Sequence, residues 1–202
     1  MSTAFNSEQE TAARLSHRSA FLLVMASGTL FFSVHILNSW LLHAIEISDH
    51  ISLVYLPAFL RLMNVLVLGM LWGTLGTAVG GALLFFWMQD SLLMSTLNTV
   101  MSAGGAALSV WVMQILQGRP LSLSRLPDLI KLSLFYALLN ALLHHLLWSF
   151  LDPAQLVAPN QLVYMVIGDI NGALVGALGL RWVARNTKLI DIVRQKASAT
   201  EN

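Results

Sequence analysis

The sequence predicts an all-α integral membrane protein, a bundle of six transmembrane helices with both termini in the cytoplasm. Composition, the length of the apolar stretches and the placement of charge lead to this prediction. Of the 202 residues, 56% are hydrophobic and only 10% are charged, whereas a soluble domain carries about 25% charged residues. Mean hydropathy is +0.71. This composition excludes a disordered chain, a nucleic-acid-binding protein and almost any water-soluble enzyme.

The apolar stretches set the expected helix positions, because a spanning helix needs about 20 mostly apolar residues. Residues 19–42 contain no Asp, Glu, Lys or Arg and form the first helix. Residues 51–89 would make one helix about 58 Å long, too long for a hydrocarbon core of about 30 Å. We therefore place a turn near Gly69–Gly73 and expect helices at 51–70 and 72–89.

Three further apolar stretches predict helices at 91–117, 129–151 and 160–184. The N-terminal tail, 1–18, is expected to be amphipathic, because Ser7-Glu8-Gln9-Glu10 reads as a capping box. The C-terminal tail, 185–202, is basic. It is expected either to anchor a helix end at anionic headgroups or to dock on a cytoplasmic partner.

Charge placement supports six crossings. With six helices, the two tails and the 118–131 loop share one side of the membrane, and cytoplasmic loops are rich in Lys and Arg. That side holds ten of the 11 basic residues, and the other side holds only acids. The prediction is a bacterial inner-membrane protein. The ten basic residues are Arg14, Arg18, Arg119, Arg125, Lys131, Arg181, Arg185, Lys188, Arg194 and Lys196, and the acids are Glu46, Asp49, Asp90 and Asp152.

Two kinds of residue are expected to organise the bundle. Small residues at a spacing of four let helices approach closely in lipid, and Gly168, Gly172 and Gly176 have this spacing in the last helix. Packing within the chain and docking to another chain both remain open. The tryptophans fall near predicted helix ends, as an aromatic belt would: Trp40, Trp72, Trp87, Trp111, Trp148 and Trp182.

Two ionisable residues lie inside predicted helices. Counted from the outer helix ends, Arg61 and Asp169 both lie roughly 14–15 Å deep. A charge at membrane depth is usually paired or lines a cavity, so we predict an Arg61–Asp169 ion pair. The pair is expected either to hold the fold together or to form the centre of a ligand or ion site.

Other polar residues reach similar depth and predict either an outward-facing polar pocket or hydrogen bonds between helices. Pro57 is expected to shape the entrance. The candidate binding residues beside the charged centre are Asn64, Asn140, His144, Asn171, His35 and Asn38.

Metal binding and catalysis have weaker support. Imidazole and carboxylate suit zinc, nickel or copper, but the loop residues His43, Glu46, Asp49 and His50 lack a helical metal signature, so we expect no metal and no cofactor. The chain has no Gly-x-Ser-x-Gly, zinc-protease or phosphate-loop motif, and no cysteine. Intramembrane serines are available for a Ser–His arrangement but nothing selects one, so we predict that the chain is not an enzyme. These serines are Ser33, Ser95 and Ser102.

Short motifs resemble a known family. Tyr55-Leu56-Pro57-Ala58 resembles the entry motif of bacterial membrane-associated sensor (MASE-type) domains, which precede diguanylate cyclases and histidine kinases. The stretch from Val166 to Gly172 resembles the Gly-Asp-x-x-Gly of their last conserved helix, and Gly73 to Gly81 resembles their small-residue third helix. The similarity covers about 50–185. It implies sensing. Those domains usually have more helices and a cytoplasmic output domain, whereas this chain ends about eighteen residues after the last predicted helix. The resemblance therefore implies either that the output is another polypeptide or that the module has a different use.

Six short-looped helices with an outward pocket also resemble, in shape alone, the substrate-binding subunits of energy-coupling-factor importers. The predicted function is thus a sensor-like or partner-binding membrane module. The alternatives are a small-solute uptake subunit and a structural or assembly subunit of a larger complex. The expected partners are the lipid bilayer, a membrane or cytoplasmic protein and a small-molecule ligand.

Overall fold

The computed structural model describes residues 17–48, 51–88, 91–121, 125–151 and 160–186. The expected amphipathic N-terminal tail and basic C-terminal tail lie almost entirely outside these ranges. So do Asp49, His50, Asp90 and Asp152.

The described residues form five helices joined by short connections. They are α1 (His17–Leu41), α2 (Pro57–Trp87), α3 (Leu92–Gln117), α4 (Leu126–Leu151) and α5 (Gln161–Asn186). A 3-10 turn at His43–Ile45 leads into a small antiparallel sheet of β1 (Glu46–Ser48) and β2 (Ile51–Ser52). All five helices are long and apolar enough to cross a membrane. The predicted all-α membrane fold is confirmed. Five helices are found where six were predicted, because the helices expected at 51–70 and 72–89 form one element, α2, which is interrupted at Gly69.

Helix α2 differs from a regular helix at one residue. Gly69 has φ 81° and ψ 171°, a conformation that glycine adopts without steric cost. Asn64 Nδ2, before the break, donates to Thr77 Oγ1, after the break, at 3.2 Å. In a straight helix these residues would lie about 20 Å apart. The first limb (57–68) and the second limb (70–87) therefore pack against each other with opposite direction, and a side chain at Gly73 would overlap the Asn64 backbone.

The contacts between elements define two ends of the bundle. Helix α1 and the second limb run in the same direction, because Ser27 meets Gly76 and Phe31 meets Gly80. Helices α3, α4 and α5 then alternate in direction. Both described termini consequently lie at one end, which we call the tail end, together with the α3–α4 connection. The opposite end carries the β1–β2 sheet, and we call it the strand end.

Residues 51–56 are not helical, although the sequence predicted a helix from residue 51. The helix begins instead at Pro57, whose ring suits the first helical position and which lacks an N–H to satisfy. The preceding six residues enter from the strand end and lie against α5, where Gly168 and Gly172 contact the carbonyls of Ser52 and Tyr55. Gly172 is about 16 Å along α5 from its first residue. We call residues 51–56 the re-entrant segment.

The re-entrant segment finds a partner for each backbone polar group from Leu53 to Leu56. Leu53 N donates to Ile45 O at 3.1 Å, and Tyr55 N donates to Gly168 O at 3.0 Å. The Ser52 hydroxyl donates to the Val54 carbonyl and accepts from the Val54 N–H. Other side chains donate to the Leu53 carbonyl and accept from the Leu56 N–H. The carbonyls of Tyr55 and Leu56 accept from the first turn of α2. Non-helical backbone is tolerated at membrane depth only when it is buried and satisfied in this way.

The glycine face of α5 is used within the chain. Cβ atoms at Gly168, Gly172 and Gly176 would overlap Ser52, Tyr55 and Phe59, respectively. The absence of side chains on this face of α5 is therefore what allows the re-entrant segment and the start of α2 to lie in direct contact with the helix.

The tail end is closed by a bidentate ion pair. Arg119 Nη1 donates to Asp128 Oδ2 at 2.7 Å, and Arg119 Nη2 donates to the other carboxylate oxygen. The hydrogen bond with Asp128 raises the pKa of the Arg119 guanidinium. Asp128 lies in the first turn of α4, where the helix dipole favours a negative charge. This pair joins the C-terminal end of α3 to the first turn of α4.

Glycine-to-alanine substitutions on α5 test the contact with the re-entrant segment. Gly172→Ala should lower the free energy of unfolding by about 1–3 kcal/mol, because the new methyl group collides with the Tyr55 backbone. Gly179→Ala on the same helix is the control, since no atom lies within 4 Å of its Cβ position. The measurement is thermal unfolding of both purified variants in one detergent. Equal melting temperatures for the two variants would contradict the contact.

Candidate functional site

A cavity of about 80 Å³ lies in the half of the bundle nearest the strand end. All five helices and the re-entrant segment contribute to its wall. Its apolar lining includes Phe31, Leu84, Trp148 and Met165. Its polar lining consists of His35, Ser52, Tyr55, Arg61, Thr77, Ser95, Asn98, Thr99, Ser102, His144 and Asp169.

Arg61 lies in the first limb of α2 and is only 5% exposed. Its Nη1 donates to the Tyr136 hydroxyl and its Nη2 to the Tyr55 hydroxyl, both at 3.0 Å. The guanidinium carbon lies 5.4 Å from the ring centre of Phe31 and 5.0 Å from that of Tyr55, distances at which the ring faces attract a cation. Buried Arg61 Nε has no hydrogen-bond partner among the described residues. Among the residues that the structure describes, only neutral groups thus contact this charge.

Asp169 lies on α5 and is 2% exposed. Its Oδ2 accepts a hydrogen bond of 2.7 Å from Asn140 Nδ2. The predicted ion pair is not formed, because none of the ion pairs between described residues, taken to 4.0 Å, joins Asp169 to Arg61. The two charged side chains nevertheless line the same cavity.

The ion-pair prediction was wrong because the two depths were counted along helices. Residues 51–56 are not helical, and Ser52 and Tyr55 lie beside Gly168 and Gly172, which are already about 10 and 16 Å along α5 from its first residue. Arg61 is therefore carried deeper than the count placed it, past the level of Asp169. At that depth its guanidinium meets Tyr136 of α4 instead.

Hydrogen bonds also hold the histidines and Trp148 in the wall. His35 Nδ1 and the Tyr55 hydroxyl lie 3.0 Å apart. His144 Nδ1 lies 2.9 Å from the Asn140 carbonyl, which can only accept, so Nδ1 carries the proton. His144 Nε2 lies 3.4 Å from Ser102 Oγ. Trp148 Nε1 donates to Asn98 Oδ1 at 3.0 Å.

Of the predicted binding residues, Arg61, Asp169, His35 and His144 line the cavity. Asn140 lies behind the wall and orients Asp169. The other predicted residues have structural contacts. Asn38 Oδ1 accepts from Leu56 N and Asn171 Nδ2 donates to Leu53 O, both at 2.9 Å, Asn64 joins the two limbs of α2, and Pro57 begins α2.

Sequence reasoning missed the tyrosines that hold Arg61. Tyr55 was read only as part of a motif, and Tyr136 was not considered. The available signal was that a buried tyrosine hydroxyl usually needs a hydrogen-bond partner, and Tyr136 lies inside the helix predicted at 129–151. Trp148 was assigned to the aromatic belt, but it is 1% exposed and lines the cavity. By contrast, Trp40 and Trp87 are largely exposed, as residues facing lipid headgroups would be.

The weak metal candidates remain apart from the cavity. Within the described ranges, no group of three or more His, Cys, Asp or Glu residues is arranged to hold a metal ion. His43 Nδ1 lies 3.2 Å from Glu46 Oε2 in the connection before β1, and the His43 side chain is exposed. Asp49 and His50 are outside the described residues.

Comparisons of the chain with protein-family models, with curated proteins and with solved structures found no match. Function is therefore argued from the site itself. Chemically, the cavity presents one cationic and one anionic side chain, several hydroxyl and imidazole groups, and an apolar wall. Such a site is suited to binding and orienting a small polar molecule.

Loss of the Tyr136 hydroxyl should destabilise the protein measurably. Tyr136→Phe removes an acceptor from a buried charged donor, and hydrogen bonds to charged groups contribute about 1.5–3 kcal/mol. Tyr164→Phe is the matched control, because Tyr164 is half-buried and none of the observed side-chain hydrogen bonds uses its hydroxyl. Thermal unfolding in detergent compares the two. A Tyr136→Phe variant as stable as Tyr164→Phe would show that the hydroxyl contributes little to holding Arg61.

Proposed function

We propose that this chain is a multi-pass membrane binding module of the sensor type. In this proposal it holds a small solute bearing a carboxylate in the cavity and reports occupancy to a partner protein. The observation that carries the proposal is the environment of Arg61, a buried cation that lines a cavity and is contacted only by neutral groups.

Arg61 retains the capacity to bind an anion. A guanidinium has five N–H donors, and two hydrogen bonds from Arg61 are formed here. A buried charge without a close counterion is unfavourable, so an entering carboxylate would gain both charge compensation and hydrogen bonds. Arginine binds carboxylates in a bidentate geometry that lysine does not reproduce.

The cavity volume limits the size of the solute. One water-sized group needs about 10–15 Å³ by the same measure, so 80 Å³ holds roughly five to eight such groups. This range matches a short organic acid.

A reporting mechanism follows from the position of the site. Arg61 connects the re-entrant segment, through Tyr55, to α4, through Tyr136. The re-entrant segment in turn lies on α5, which leads to the C-terminal tail. A solute that binds one arrangement of these elements more tightly shifts the population toward it. The resemblance to membrane-associated sensor domains supports this proposal.

The proposed location is a bacterial inner membrane with the tail end in the cytoplasm. Among the described residues with placed side chains, every Lys and Arg other than Arg61 lies at the tail end, and cytoplasmic ends are rich in these residues. These residues are Arg18, Arg119, Arg125, Lys131 and Arg181.

Cysteine labelling tests this orientation, since the native chain has no cysteine. In intact cells, a membrane-impermeant maleimide should label His43→Cys at the strand end and should label Arg125→Cys only after the cells are permeabilised. Both native side chains are exposed, so accessibility within the protein is matched. The reverse pattern would invert the proposed orientation.

Solute binding should depend on Arg61. Propionate and β-alanine are the probes, and thermal unfolding of the purified full chain is the measurement. At about 100 times its dissociation constant, a bound probe should stabilise the protein by about 2.7 kcal/mol. Arg61→Gln and Arg61→Lys should both lose this stabilisation, whereas Arg125→Gln, a charge removal at the exposed tail end, should keep it.

Failure of both probes to stabilise the native protein would overturn the proposed function. Reconstituted vesicles separate sensing from uptake. Retention of the labelled probe on the protein is expected here, whereas accumulation in the vesicle lumen would replace the sensor proposal with solute uptake.

A further inference from the structure

We propose that the solute is a small zwitterion, a compound with one carboxylate and one ammonium group, as in a short-chain amino acid. Its carboxylate would bind Arg61 and its ammonium group would bind Asp169. This inference rests on the proposed function and identifies the chemical class of the solute. It follows from the two opposite charges, which line one cavity without contacting each other.

The cavity wall carries one buried charge of each sign. Arg61 is 5% exposed and Asp169 is 2% exposed, so water screens neither side chain well. A solute that carries only a carboxylate would compensate Arg61 but would also bring a second negative charge toward Asp169. A zwitterion keeps the occupied site neutral and gives each protein charge an opposite partner.

Asp169 has hydrogen-bonding capacity beyond its bond with Asn140. A carboxylate has about four acceptor sites, and the Asn140 amide occupies one of them at 2.7 Å. Asn140 also fixes the carboxylate in the wall of the cavity. An ammonium group, with three donors, is the cationic partner that suits the remaining acceptor sites.

The two charged side chains are held by different partners. The direct ion pair is absent because Tyr55 and Tyr136 hold the guanidinium while Asn140 holds the carboxylate. Each charge is therefore positioned by neutral groups, and both charges line the same cavity. A short carbon chain between a carboxylate and an ammonium group would bridge that space within 80 Å³.

Three probes of similar size separate the contributions of the two charges. Propionate carries only the carboxylate, propylamine carries only the ammonium group, and β-alanine carries both. Titration calorimetry on the full chain in detergent should give β-alanine an affinity about 10–100-fold higher than that of propionate, the factor that corresponds to one added charge-assisted hydrogen bond. Propylamine should bind more weakly than either.

Asp169→Asn should remove this preference. In that variant, β-alanine and propionate should bind with affinities within about threefold of each other, because the neutral amide no longer attracts the ammonium group by its charge. Glu46→Gln is the matched control, because it neutralises a carboxylate at the strand end that does not line the cavity. It should keep the full preference for β-alanine.

The outcomes distinguish the two proposals. Equal binding of propionate and β-alanine to the native protein, with both dependent on Arg61, would overturn the zwitterion and leave the carboxylate-binding function standing. A preference for β-alanine that survives Asp169→Asn would also overturn the assignment of the ammonium site. No binding of any probe would overturn both proposals together.

Discussion

The structure depends on the need to satisfy every backbone polar group inside a lipid environment. Helices meet this need by themselves, but the re-entrant segment does not, and it lies deep against α5. Its carbonyls and N–H groups are satisfied by Asn38, Asn171 and the Gly168 carbonyl. Because lipid offers no alternative partner, these contacts hold α1 and α5 around the segment. Much of the polar character that suggests a binding pocket in the sequence is therefore structural.

The charged site follows from the same arrangement. The re-entrant segment brings Tyr55 into the centre of the bundle, and Tyr55 contacts both Arg61 and His35. The tyrosine hydroxyls of Tyr55 and Tyr136 satisfy part of the guanidinium without neutralising it. The cation therefore remains available to the cavity, and Asp169 is held separately by Asn140. The structural network thus keeps two opposite charges apart in one small cavity.

The sequence predicts the membrane class and most of the helices because apolar length is a direct physical requirement of the bilayer. The turn near Gly69 was also visible, since one helix of that length would not fit. The structure has five helices rather than six because the two limbs on either side of Gly69 form one element, α2. The re-entrant segment was not predictable from hydropathy, because its residues are as apolar as those of a helix. Its partners lie far along the chain; Asn171 is 118 positions from Leu53. For the same reason Arg61 was recognised as important but was given the wrong partner.

The long sequence separation of these contacts has a consequence for biogenesis. The ribosome releases residues 51–56 long before it has synthesised α5, so for most of translation the Tyr55 N–H has no Gly168 carbonyl to bond. An unsatisfied backbone at membrane depth is unfavourable, so the nascent segment would stay at the membrane surface or in the water-filled insertion channel. It can take its final place only when α5 enters. The cavity is then completed only once α5 is in the membrane, and a chain truncated before α5 would carry Arg61 without ever forming the cavity.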